Sequence, residues 1–209
     1  MRLRSWLTPR RAHAAARGQS LVEFAIVLPF LMLLILGAIE FGFVFDSRIS
    51  LQYASREGAR VASQLVNGGG ALGCGVGGSP FVNGPPSVDE QIIAAVNRVI
   101  TSSGSPLDVS RVTEIRLFLT DAVGNEVPGN VNVWLPTPGA GPIVDGKNLD
   151  FTQSTVGWPA CSRDYGPPAD SIGVGVRYVY QLQTPFLAFT GVTNLPMYDI
   201  TIMAMNPTS

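Results

Sequence analysis

Apolar residues run almost unbroken from Leu21 to Phe45, interrupted only by Glu23 and Glu40. As a helix these 25 residues reach about 37 Å, enough to cross a hydrocarbon core of about 30 Å. Seventeen of them are Leu, Ile, Val or Phe, and both glutamates lie off-centre, so insertion outweighs the cost of the two acids. Pro29 removes one helix hydrogen bond and is expected to kink the span, which membrane helices tolerate. Beyond the run, Leu51, Ala54, Gly58, Val61 and Leu65 recur at steps of three and four, a narrow helical stripe. Asn67-Gly68-Gly69-Gly70 then ends it. The pattern predicts one long helix from Leu21 to Val66, half in lipid and half outside.

A second helix is predicted after Pro85-Pro86. Ser87 and Glu90 form a capping box, and Ile92, Ile93, Val96, Val99 and Ile100 make one face. From there the period changes to two. Ile115, Leu117 and Leu119 alternate with Glu114 and Arg116. Val131, Val133 and Leu135 follow, then Ile172, Val174, Val176, Tyr178, Tyr180 and Leu182, and finally Ile200, Ile202 and Ala204. Residues 136–168 read as a long Pro/Gly-rich insertion. The fold class expected is α+β: a long N-terminal transmembrane helix continuing into an outer domain with one further helix and an antiparallel sheet of about four strands.

Charge changes the picture at the N-terminus. The first seventeen residues carry five arginines and no acid, whereas the other 192 hold 9 basic against 15 acidic residues. A basic end before an apolar run places the N-terminus in the cytoplasm and the body outside. A cleavable secretory signal fits poorly, because the run is long and has no small-x-small site after it. The acidic body argues against nucleic acid as a partner. The only histidine is His13, in the leader, so the body lacks a histidine for triad, acid–base or metal chemistry. No cofactor is expected. Asp145-Gly146-Lys147-Asn148-Leu149-Asp150 has an incomplete calcium-loop spacing and no terminal Glu, so metal binding is not expected there.

Arg17-Gly18-Gln19-Ser20-Leu21-Val22-Glu23-Phe24 joins the leader to the span. It resembles the processing site of class III signal peptides, cut by prepilin peptidase after a glycine with a glutamate five residues into the product. On that resemblance residues 1–18 form a removable leader, 19–66 the membrane and extended helix, and 67–209 the extracytoplasmic domain. With Leu28-Pro29, Gly37, Glu40, Gly42 and Ala54-Ser55-Arg56-Glu57-Gly58-Ala59-Arg60, the segment over residues 17–64 resembles the TadE-like family. These are minor pilins, or pseudopilins, of the bacterial tight-adherence pilus. The resemblance implies a pilin-like domain in the inner membrane. It also implies work with prepilin peptidase, other pilins, platform proteins and an assembly ATPase.

Several residues keep two readings. Glu23 is either an interfacial acid reaching the headgroups or the partner of the freed Gln19 amine on a neighbouring subunit. Glu40 reads as a partly solvated interfacial residue. Gly58 and Ala59 either pack on the chain's own domain or admit another subunit's helix, with Glu57 and Arg60 as charged register contacts. Cys74 and Cys161 lie outside the membrane, where a disulfide is permitted and is favoured over two free thiols. Three functions follow in order: a peptidase-matured minor pilin, an unprocessed single-span protein with a binding domain, and a membrane-anchored enzyme. The third lacks a nucleophile–base pair, a metal cluster and a phosphate loop.

Overall fold

A computed structural model describes residues 12–65, 87–164, 168–184 and 191–205. Helix α1 spans Ala12–Gln64, 53 residues with Pro29 inside it. It begins nine residues before the expected start, because Ala12, Ala14, Ala15 and Ala16 are the strongest helix formers and extend the run backwards. At the other end the Leu65 amide still bonds the Val61 carbonyl (3.1 Å). The expected glycine stop at Asn67–Gly70 lies outside the described residues. Helix α2 is Val88–Ile100. Its capping box forms as the sequence predicts: the Glu90 amide donates to Ser87 Oγ (3.2 Å), and the Ser87 amide donates to Glu90 Oε2 (2.8 Å).

Strands β1 (Val112–Thr120), β2 (Glu126–Pro136), β5 (Phe151–Val156), β6 (Ser171–Gln181) and β7 (Asn194–Ala204) form one antiparallel sheet in the order β5-β2-β1-β6-β7. The fifth strand comes from the insertion, which the sequence left without structure. Its first part makes a hairpin of β3 (Ile143–Val144) and β4 (Lys147–Asn148). Asp145 and Gly146, at φ 51° and 74°, form the two-residue turn that such a hairpin needs. That turn accounts for the Asp-Gly pair in the apparent calcium loop.

Both helices pack on one face of the sheet, α1 against α2, β6 and β7. Ile115, Leu117, Ile172, Val174, Val176, Tyr178 and Tyr180 are buried. Two strands present the opposite face from the one their apolar alternation predicts. In β2, Trp134 and Asn132 pair with Ile115 and Leu117 and face the helices, while Leu135 is exposed. In β7, Ile200 and Ile202 are exposed, and Asp199 and Thr201 turn towards α1. With a period of two, such an offset exchanges every side chain between faces. Specific polar contacts to the helix layer decide the offset here.

Candidate functional site

The molecule divides along α1. From Gly18 to Ile35 every residue is exposed, and the helix from Gly18 to Gln64 is long and apolar enough to cross a membrane. Beyond it a stripe runs through Gly37, Glu40, half-buried Val44, Ser47, Leu51, Ala54, Gly58 and Ala62, again at steps of three and four. The stripe therefore starts fourteen residues earlier than the periodicity from Leu51 indicates. It overlaps the apolar run from Gly37 to Phe45.

Glu40 anchors the lower end of that stripe. It is 4% exposed, not the partly solvated residue expected from sequence. Tyr180 Oη donates to its Oε1 (2.7 Å), as does the Gln183 amide (3.0 Å), and the Thr184 amide donates to Oε2 (2.7 Å). Three donors converge on one carboxylate, so the buried charge is satisfied by hydrogen bonds to the end of β6. Burial first, and then the hydrogen bond to Glu40, push the Tyr180 hydroxyl well above the usual tyrosine range. Tyr180 thus stays a donor.

Higher on α1, Ser55 Oγ donates to Asp199 Oδ2 and lies 2.9 Å from Thr201 Oγ1. A hydroxyl in a stripe of alanines and glycines is the sequence trace of this link. Gly58 marks a close approach. A Cβ there would stand 2.6 Å from Val96 Cγ2 and 3.0 Å from Val174 Cγ1. Gly58 and Ala59 are buried against the chain's own α2 and sheet. Glu57 and Arg60 instead lie on the surface, paired through two hydrogen bonds (2.6 and 2.9 Å). The Arg60 guanidinium holds the Glu57 carboxyl below its usual range. Both line a groove of about 760 Å³ between α1 and the end of α2.

A second polar cluster holds α2 to β2. Asp89, in the first turn of α2, is buried, and its Oδ1 accepts from Arg163 Nη2 (2.6 Å). Asn132 Nδ2 donates to Asp89 Oδ2 (2.6 Å) and to the Trp158 carbonyl (2.7 Å), and the Trp158 amide donates back to Asn132 Oδ1 (2.8 Å). Arg163 stacks over the Trp158 ring at 4.6 Å. Nothing in the spacing of these residues announces the cluster, because they come from three separate segments: α2, β2 and the β5–β6 connection.

Of the other expected residues, Gly18, Gln19 and Glu23 lie together on exposed α1, where Gln19 Nε2 donates to Glu23 Oε1 (3.1 Å). Pro29 lies inside the exposed stretch. Cys161 falls in the 3-10 turn Ala160–Ser162, and Cys74 lies outside the described residues. The family model described as TadE-like protein matches residues 18–60. Residues 18–60 form a TadE-like segment. That segment begins at the glycine of the expected processing site and ends within the docked half of α1. No curated protein and no solved structure matches the chain. The similarity to the TadE-like family covers 43 of the 209 residues, and the exposed apolar part of α1 that it includes is suited to anchoring the chain in a membrane.

Proposed function

We propose that this chain is a minor pilin of a tight-adherence pilus, matured by prepilin peptidase between Gly18 and Gln19 and kept in the inner membrane by its apolar helix. The observation that carries this reading is the fully exposed apolar stretch of a TadE-like segment that starts at Gly18. That surface has no cover from the described residues of the chain's own domain, so lipid or the helices of neighbouring pilins must cover it. The five leader arginines keep the N-terminus cytoplasmic. Gly18 serves cleavage physically as well: it lies in a helix, where glycine is about 1 kcal/mol weaker than alanine, and the peptidase needs an extended backbone.

In an assembled filament Glu23 pairs with the freed Gln19 amine of a neighbour. Neither charge is tolerable alone in an apolar bundle, and the pair sets axial register. Gly58 and Ala59 support the subunit's own core, which leaves Glu57 and Arg60 as the charged contacts available to a neighbour. Work with platform proteins and the assembly ATPase follows from the family. We also propose a Cys74–Cys161 disulfide, worth about 4 kcal/mol on the chain-entropy view of a loop this long. Cys74→Ser then lowers the melting midpoint under oxidising conditions, and an unchanged midpoint removes the bond from the proposal.

Intact mass of membrane-extracted protein tests maturation. The mature chain lacks residues 1–18, and Gly18→Leu leaves the full-length form to accumulate. Native protein that retains Met1 points to an unprocessed single-span binding protein instead. Glu23→Ala is cleaved normally but incorporates poorly; normal piliation in that variant removes the amine pairing.

A further inference from the structure

The level of Glu40 on α1 has a consequence for the outer domain. Nineteen residues separate Leu21 from Glu40, about 28 Å of helix at 1.5 Å per residue. A hydrocarbon core is about 30 Å thick, and helix tilt lowers the height of Glu40 further. The first charges beyond it on α1 are Asp46 and Arg48, both exposed. Glu40 lies six residues, or about 9 Å, below that polar boundary. Tyr180, Gln183 and Thr184 bond directly to Glu40, so the β6–β7 end of the sheet lies at the same depth.

The chemistry of the β6–β7 segment fits an apolar medium, with the Arg111 guanidinium on Gln181 Oε1 (2.7 Å) as the cation at that end, placed to meet headgroups. From Tyr178 to Tyr198 the sequence contains no Asp, Glu, Lys or Arg. Leu182, Val192 and Leu195 face Gly37, Phe41 and Val44 of α1 around an apolar cavity of about 210 Å³. Val192 and Leu195 are 43% and 39% exposed beside Phe41, which is 61% exposed. Their outward surface continues that of the apolar span. The opposite end of the sheet differs: its β1–β2 turn carries Asp121, Asn125 and Glu126.

We infer that the β6–β7 end of the outer domain is seated in the outer leaflet of the membrane that α1 crosses, with Val192 and Leu195 against phospholipid. This rests on the membrane-span reading of α1 and not on pilus assembly. The domain then has two membrane contacts, the helix and the tip of the sheet. Lipid at the tip also keeps water from the Glu40 hydrogen bonds, which strengthens them.

Tryptophan quenching by brominated lipid tests this in the full chain, reconstituted in phosphatidylcholine–phosphatidylglycerol vesicles. Leu195→Trp and Val192→Trp are compared with Phe30→Trp in mid-span and Val123→Trp at the far end, where Val123 is 85% exposed. Each signal is read as the increment over the wild-type tryptophans. Bromines near the headgroups should remove emission from Trp at 195 and at 192, deep bromines should remove it at 30, and neither should affect 123. Two tip positions guard against misfolding of either variant. Quenching at 30 with both tip positions as unaffected as 123 overturns the seated tip while leaving the span intact. An unquenched Trp at 30 removes the span itself, and the inference with it.

Discussion

Glu40 turns a membrane helix into a structural member of the domain above it. Its carboxylate accepts from Tyr180 and from the backbone of Gln183 and Thr184, so Glu40→Ala leaves three donors facing an apolar gap. Hydrogen bonds to a charged group are worth about 1.5–3 kcal/mol each, with partial relief from rearrangement. Glu40→Ala is therefore expected to lower domain stability by about 2–4 kcal/mol, measured by denaturation in detergent. Glu40→Gln retains one acceptor and should fall between. Gly58 sets a second single-residue limit. Alanine gains about 1 kcal/mol of helix propensity over glycine. Its methyl, however, meets Val96 at 2.6 Å and Val174 at 3.0 Å, and valine cannot swing aside easily. Overpacking of about 1–3 kcal/mol wins, so Gly58→Ala should destabilise, and Val96→Ala should partly rescue it. Gly58 was legible in the sequence as a small residue on a helical stripe. The partners of Glu40 were not, because they are more than 130 residues away in the chain and two of them are backbone amides.

At the scale of elements, local signals sufficed where local physics decides. The α2 capping box, the β6 face and the long apolar helix all follow from spacing alone. The sequence misleads where an element's face is chosen by a distant polar partner. Ile200 and Ile202 look like a core face, yet β7 turns Asp199 and Thr201 to α1 because Ser55 bonds both. Val133 and Leu135 likewise give way to Asn132 and Trp134, since Asn132 closes the bonds to Asp89 and Trp158. The insertion hid β5 because edge-strand residues Thr152 to Thr155 carry no apolar alternation. The Asp89–Arg163 pair offers a test at this scale. Removing one partner of a buried pair strands the other charge, so Asp89→Ala should cost about 3–5 kcal/mol. The double variant Asp89→Ala/Arg163→Met should recover part of that loss. A double-mutant cycle by urea denaturation measures the coupling, and additive losses would show that the two charges act independently.

For the whole molecule, pH dependence follows from which groups titrate. His13 is the only histidine, so stability should be flat between about pH 5 and 8. Arg60 beside Glu57, Ser110 beside Asp108 and Asn125 beside Asp121 hold those carboxyls below their ordinary values of 4.5 and 3.8. The unfolded chain therefore binds protons first as pH falls. The stability these groups provide is complete above pH 4.5 and drains away as pH drops through their folded values. On the alkaline side, burial raises Tyr180 and Tyr198 above 10.0, and their contribution declines as pH climbs past that point. A melting-midpoint profile with a plateau and two falling limbs is expected; a step near neutrality would contradict it.

After the proposed cleavage α1 keeps Gln19–Gln64, about 69 Å at helical rise, with the apolar span at one end and the sheet-packing turns at the other in one continuous element. A pull on the outer domain is thus delivered along α1 to its exposed apolar turns. On the proposed pilin reading, a machine that hoists this subunit lifts cargo and handle together.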